Sequence, residues 1–343
     1  MSDALVLAGA VAKGAFTAGA LSVLSDPATK ARIGLDIRRI VGASSGALNG
    51  VYYAAAIRAG TEAVAGPQLA QLWLDDATLG GVFRVSLRDL VEELGISSDD
   101  KVRAILRDHV PTSGAGRNAI ELRLVVTNSN GEPLSVGGAP ATTFEHVVDV
   151  AAADFDAPDS RERVFTAAAA SAALPGVFAP VDLQLDGSTV QGIDGGIVDD
   201  TPLGHACAGA PSVGRVFVIV PFPRVRTDTA NLRGLALAWH VFDILIQERL
   251  IRDLRRTDRV NQVLAQLPTL VPDAQQRAAL LEALGWAERR PVQVVEIRPD
   301  TELPGDSFAG FTSRALRQQY LQAGVEAAQR VLAPLTPPGG QTG

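Results

Sequence analysis

Short apolar runs broken by glycine-rich turns open the chain, and longer helical patterns follow. Ala4-Leu5-Val6-Leu7 is a compact apolar stretch of the kind carried by a strand buried on both faces. A loop over 8–14 comes next, then a helix through Ala15-Phe16-Thr17-Ala18-Gly19-Ala20-Leu21. A second strand, Ile37-Arg38-Arg39-Ile40-Val41, runs straight into Gly42-Ala43-Ser44-Ser45-Gly46, and 47–58 read as the next helix. The first fifty residues therefore predict a βαβ unit.

Beyond it, 66–110 are mostly helical in pattern, most clearly at 87–94. Glu-Leu-Arg-Leu-Val-Val-Thr at 121–127 predicts a strand, with Asn130-Gly131 as the turn that follows it. Strands at 181–185 and 189–193 flank Asp186-Gly187, a pair suited to a hairpin. Further strands are expected at 215–220 and 292–297, and long helices at 235–254 and 313–332. The 235–254 helix carries one apolar stripe (Leu235, Trp239, Phe242, Ile246, Leu250) and a basic end (Arg249, Arg252, Arg255, Arg256); the stripe reads as core packing ahead of a membrane-contacting lid. The Pro- and Gly-rich tail, 334–343, is expected to be disordered. With no internal repeat and no dividing linker, the pattern implies a one-domain α/β sandwich over 1–333, with helical elaborations at 66–110 and 230–290.

Composition narrows the function classes. A net charge of −7 gives no electrostatic reason to hold a polyanion, so nucleic acid is not an expected partner. The single cysteine, Cys207, excludes an intrachain disulfide and a cysteine metal cluster, and reads as a small buried hydrophobe. Among His109, His146, His205 and His240 no two have the helical spacing of a zinc-binding pair, so the spacing predicts neither a metal nor a cofactor. No basic n-region and no apolar run of membrane-spanning length is seen. The expected location is cytoplasmic, with peripheral membrane contact and oligomeric state left open.

Three segments carry chemistry. Gly42-Ala43-Ser44-Ser45-Gly46 fits G-x-S-x-G, and lies between an apolar strand and a helix. That context puts a serine on a sharp turn with its oxygen clear of the sheet; an ordinary glycine–serine turn is the plainer reading. An attacking serine also needs backbone donors aimed at the developing oxyanion. Gly9-Ala10-Val11-Ala12-Lys13-Gly14 follows a strand and opens a helix, whose first amides favour negative charge. Neither a phosphate-loop nor a dinucleotide pattern fits it, because Lys13 precedes Gly14 and the glycine spacing is absent. The base comes from elsewhere: Ile193-Asp194-Gly195-Gly196 puts a carboxylate at a strand end, where a plain Asp-Gly turn is the alternative, and Asp199 and Asp200 lie nearby.

Together these segments resemble the patatin-like phospholipase family. Leu7-Ala8-Gly9-Ala10-Val11-Ala12-Lys13-Gly14-Ala15 is similar to its glycine-rich loop with a basic residue, Gly42 and Gly46 flank its elbow, and Asp194-Gly195-Gly196 matches its aspartate motif. Ala170-Ser171-Ala172-Ala173-Leu174-Pro175-Gly176-Val177-Phe178-Ala179-Pro180 resembles the block that precedes that aspartate. Order and spacing agree from residue 4 to about 220, with a weaker echo at 320–332.

The resemblance implies a three-layer α/β/α sandwich with a mostly parallel central sheet and helical insertions. It implies hydrolysis of lipid acyl esters, as by a phospholipase A or lysophospholipase, through a Ser44–Asp194 dyad. An oxyanion hole from Gly9, Ala10 and Val11 would complete the site, with no metal. Two loop positions that are usually glycine hold Ala10 and Val11, and a positive φ at Val11 would be strained. Lys13 takes the place of the basic residue, as a structural salt bridge ahead of a headgroup contact, and Asp199-Asp200-Thr201-Pro202 reads as support for the Asp194 loop.

Two rivals remain. A histidine-triad α/β-hydrolase would place several strands before its elbow and a histidine on a late loop. Here one strand precedes the elbow strand, and after Asp194 come only His205 and His240. The other is a catalytically weak or inactive scaffold that keeps the fold, which the altered glycine loop would suit.

Overall fold

The structure is a computed structural model describing residues 2–82, 99–112, 118–185, 187–209, 212–224, 235–287 and 289–337. The helix expected at 87–94 lies outside the described residues, as do Asp186, the tail from 338 on, and the side chains of Leu235, Trp239, His240, Phe242 and Ile246.

One eight-stranded sheet organises the chain. Its strands are β1 (Ser2–Leu7), β2 (Ile37–Ala43), β3 (Glu121–Val136), β4 (Ala139–Val150), β5 (Val181–Leu185), β6 (Ser188–Ile193), β7 (Val213–Ile219) and β8 (Gln293–Ile297). They run in the order β5-β6-β3-β2-β1-β7-β8, with β4 pairing β3 off that path. The block β3-β2-β1-β7-β8 is parallel, whereas β4 and β6 run antiparallel to β3, and β5 to β6. The apolar runs become strands because both faces are covered. Leu5 and Leu7 enter one buried cluster, and Ala4 and Val6 another.

The first cluster is closed by α1 (Gly14–Leu24), α3 (Ser45–Ala59), α4 (Glu62–Asp75), α6 (Pro158–Ser171) and α9 (Arg314–Leu332), with α2 (Pro27–Ile33) and α5 (Asp100–His109) at its margins. On the second face lie the short helix Leu203–Cys207 and α7 (Leu235–Leu270), which α8 (Ala274–Ala283) follows. This is the three-layer arrangement with a mostly parallel sheet. Of the α7 stripe, the described member Leu250 is buried in the second cluster.

One turn falls elsewhere than the sequence predicts. Asn130-Gly131 does not end the third strand: β3 continues to Val136 and reverses at Gly137-Gly138, where both φ are positive, into β4. The Asn-Gly chemistry serves a bulge instead. Pairing with β4 shifts register between Thr127 and Glu132, Gly131 has φ 72°, and Asn130 Oδ1 accepts from the Gln191 amide across to β6. A residue pair that tolerates positive φ suits either feature, and long-range pairing chose between them.

Candidate active site

Ser44 stands where β2 ends and α3 begins, at the carboxyl edge of the parallel strands, the usual ligand side of such sheets. Its backbone is strained, with φ 52° and ψ −129°. The neighbours leave no slack: a Cβ on Gly46 would stand 2.0 Å from the Leu7 carbonyl oxygen, and one on Gly9 2.7 Å from Ser44 Cβ. Gly42 lies within β2 and Gly14 opens α1, so the motif glycines occur where strand and helix exchange at close range.

The Ser44 hydroxyl donates to Asp194 Oδ2 at 2.7 Å, although the two residues are 150 positions apart in sequence. Asp194 is 2% exposed, and its other oxygen accepts from the Gly196 amide at 2.8 Å. Burial pushes its carboxyl up to about 6, against the downward pull of the bonds from Ser44 and Gly196. The Asp194 amide donates to the Ala173 carbonyl, the Gly195 amide to the Ser171 carbonyl, and the Thr127 hydroxyl to the Asp194 carbonyl.

Ser171 ties these parts together. Its hydroxyl accepts from the Ser44 amide at 3.0 Å and donates to the Val125 carbonyl at 2.6 Å, with no exposure to solvent. From sequence it stands only inside the block at 170–180, with no role of its own. Its signal was a lone hydroxyl among alanines at 168–173.

The loop before α1 divides its three amides. Gly9 N–H donates to the Asp200 carbonyl at 3.3 Å and Ala10 N–H to Ser45 Oγ at 3.0 Å. Among the described residues, Val11 N–H finds no acceptor, and Val11 lies in the wall of the cleft that contains Ser44. Val11 adopts φ 53°, the strained conformation that a β-branched residue avoids. Lys13 is buried, with Nζ 5.9 Å from the centre of the Phe222 ring. Asp200 sits between loop and aspartate: its carbonyl holds Gly9, and its side chain packs against Gly9 and Gly196.

An apolar cleft opens beside Ser44 and Asp194, walled by α3 to α5 on one side and by Leu174, Phe178, Phe308 and Phe311 on the other. Its polar atoms are largely used up. Trp73 Nε1 donates to Asn49 Oδ1 at 2.7 Å, and Asn49 Nδ2 to the Gly14 carbonyl at 3.1 Å, so an incoming chain meets hydrocarbon. Residues within 69–82 and 102–110 supply part of this wall. None of the described side chains of the helix from 235 joins it; Leu250 and Leu254 pack on the other face of the sheet.

Among the described residues no histidine side chain bonds Ser44. His109 faces Asp76 at 3.5 Å, His146 pairs with Glu132 and His205 with Glu145. Cys207 is half-buried, and burial pushes its thiol up to about 11. No described helix is long and apolar enough to cross a membrane.

A family model described as patatin-like phospholipase matches residues 5–206. No curated protein matches the chain. Among solved structures it is similar to VipD from Legionella pneumophila, at 12% identity and a TM-score of 0.37, over 97% of this chain and 67% of that one.

Proposed function

The chain belongs to the patatin-like phospholipase family, and from that premise we propose that it hydrolyses acyl esters of lipids with Ser44 as nucleophile and Asp194 as base. The observation that carries this reading is the 2.7 Å bond from the Ser44 hydroxyl to a buried carboxylate, at the mouth of an apolar cleft. A serine hydroxyl is a weak nucleophile until a positioned acceptor takes its proton. A desolvated carboxylate lifted to about 6 is a stronger base than one in water, and is still ionised near neutrality.

In this mechanism Ser44 Oγ attacks the acyl carbonyl while its proton passes to Asp194 Oδ2. The tetrahedral oxyanion is held by Val11 N–H and by the first amides of α3, whose macrodipole favours negative charge. Collapse breaks the ester bond, and Asp194 returns the proton to the departing alcohol. Water, deprotonated by Asp194, then cleaves the acyl-serine and restores both groups. The acyl chain lies in the cleft, which supports long-chain lipid esters as substrates, of the phospholipase A or lysophospholipase kind. Residues 1–333 act as one domain in this reading, because β8 completes the sheet that β1 begins.

A second reading, a fold kept for binding with little turnover, draws on the loop: two of its three amides already have acceptors. A fluorophosphonate probe separates the two. Labelling that disappears in Ser44→Ala, with hydrolysis of long-chain phospholipids or monoacylglycerols ahead of acetate esters, supports the hydrolase. Folded parent protein that neither labels nor turns over any ester of the panel supports the scaffold.

A further inference from the structure

The face of the sheet opposite the cleft carries a second cavity, between β4, the short helices Gly196–Asp199 and Leu203–Cys207, and α7. Three groups from separate elements meet there: Glu145 from β4, Asp199 closing Gly196–Asp199, and His205 from Leu203–Cys207. One donor atom of each lies within 4.8 Å of the others. His205 Nε2 and Glu145 Oε1 are hydrogen-bonded at 2.5 Å, and Arg249 of α7 pairs with Glu145 Oε2 at 2.5 Å.

Asp199 is the anomaly. It is 3% exposed, and among the described residues its Oδ1 makes no hydrogen bond, its partner being the Arg249 guanidinium in an ion pair at 3.4 Å. A buried carboxylate oxygen held by an ion pair but by no hydrogen bond is incompletely satisfied, and in a cavity it has room for a cation or a water. Water alone leaves unexplained why an imidazole and a second carboxylate converge on the same point.

We propose that Glu145, Asp199 and His205 form a binding site for a divalent first-row transition metal ion of the zinc class, with Arg249 swinging away from Glu145 and Asp199 as the ion binds. The donor set decides the class. One imidazole nitrogen with two carboxylate oxygens suits zinc and its neighbours, whereas calcium and magnesium take oxygen shells. Bonds of about 2.0–2.2 Å set tetrahedral donors roughly 3.4 Å apart, a spacing small rotamer shifts give these three groups. The Arg249 side chain, 40% exposed, has solvent to move into.

The scaffold beneath the site is rigid. Arg123 Nη1 donates to the His205 carbonyl at 2.7 Å, and the buried Arg39 donates to the Ala206 and Ala208 carbonyls. Such outer bonds fix a ligand's backbone before any ion arrives. Cys207 lines the same cavity, but its sulfur is not among the three converging donor atoms. Asp199 ends the turn that starts at Gly196, whose amide bonds Asp194, so a bound ion stiffens the Asp194 loop. The site stands whether or not Ser44 is a nucleophile.

The test is calorimetric titration of Zn²⁺ into the metal-stripped full chain, beside thermal unfolding with and without Zn²⁺. One ion per chain is expected, with a higher Tm. His205→Gln and Asp199→Asn should each weaken binding about a hundredfold or more and abolish the Tm shift. His146→Gln, whose ring pairs with Glu132 outside the cluster, should bind as the parent does. Arg249→Met should bind more tightly, because it removes the competing guanidinium. Asp199→Asn keeps the side-chain shape and removes a buried charge, so it should fold, which circular dichroism checks. A dissociation constant above about 100 µM for the parent overturns the site. So does parent-like binding by both ligand variants, and Mg²⁺ or Ca²⁺ binding as tightly as Zn²⁺ overturns the metal class.

Discussion

Val11 and Ser44 are the two non-glycine residues with positive φ among the described residues, at 53° and 52°, and both line the same cleft. For Ser44 the strain comes with the strand-to-helix turn that aims its hydroxyl at Asp194 beside the cleft. For Val11 it comes with a loop in which, among the described residues, its amide has no acceptor while the two preceding amides have one. Strain of this kind persists only where the surroundings over-determine the backbone, as the packing around Gly9 and Gly46 does.

Val11→Gly should therefore cost little. Relief of about 1–3 kcal/mol of backbone strain offsets the lost side chain and the added freedom of glycine, leaving stability within about 1 kcal/mol of the parent. Urea unfolding measures this. A loss above about 2 kcal/mol would mean that φ 53° at this position stores no strain.

Ser44→Ala and Asp194→Asn should each lower kcat for a long-chain ester by at least about a thousandfold in folded protein, since either removes the covalent route or its proton acceptor. His109→Ala, although its ring lines the cleft, should stay within about tenfold. A folded His109 variant as inactive as Ser44→Ala would bring back the histidine triad.

Activity should rise with pH through about 6 and level off above, as Asp194 loses its proton. Stability runs the other way. The folded carboxyl is raised from 3.8 to about 6, so its contribution is complete below pH 3.8 and is lost as pH climbs through 6. The loss is about 3 kcal/mol at the standard conversion. Asp194→Asn should flatten that part of the stability profile; an unchanged slope between pH 4 and 7 would remove Asp194 from it.

Ser171→Ala tests a positioning residue. It strips the acceptor from the buried Ser44 amide and the donor from the Val125 carbonyl, at about 1–3 kcal/mol of stability. The cleft wall is untouched, so KM should hold while kcat drops roughly a hundredfold through misplacement of Ser44. Ser171→Cys, which keeps a weak donor and acceptor, should recover part of the loss. A rise in KM at constant kcat would assign Ser171 to substrate binding instead.

How much of this was legible in the chain depends on the range of the forces involved. The strand at 4–7, the elbow at Gly42 to Gly46 and the aspartate at a strand end could be read directly. Each is encoded by a contiguous run whose hydrophobic period or glycine content selects the local backbone. The pairing of Ser44 with Asp194 followed from motif resemblance, and the fold brings them to 2.7 Å. Other features had no local signature. Asn130-Gly131 tolerates positive φ in a turn or a bulge alike, and the register of β3 against β4 and β6 made it a bulge. Val11 as the loop amide without an acceptor, Ser171 as the tie beneath Ser44, and the convergence of Glu145, Asp199 and His205 all depend on partners dozens of residues away. Sequence spacing carries no distance between such groups; strand register and the crossing of α7 over the sheet set it.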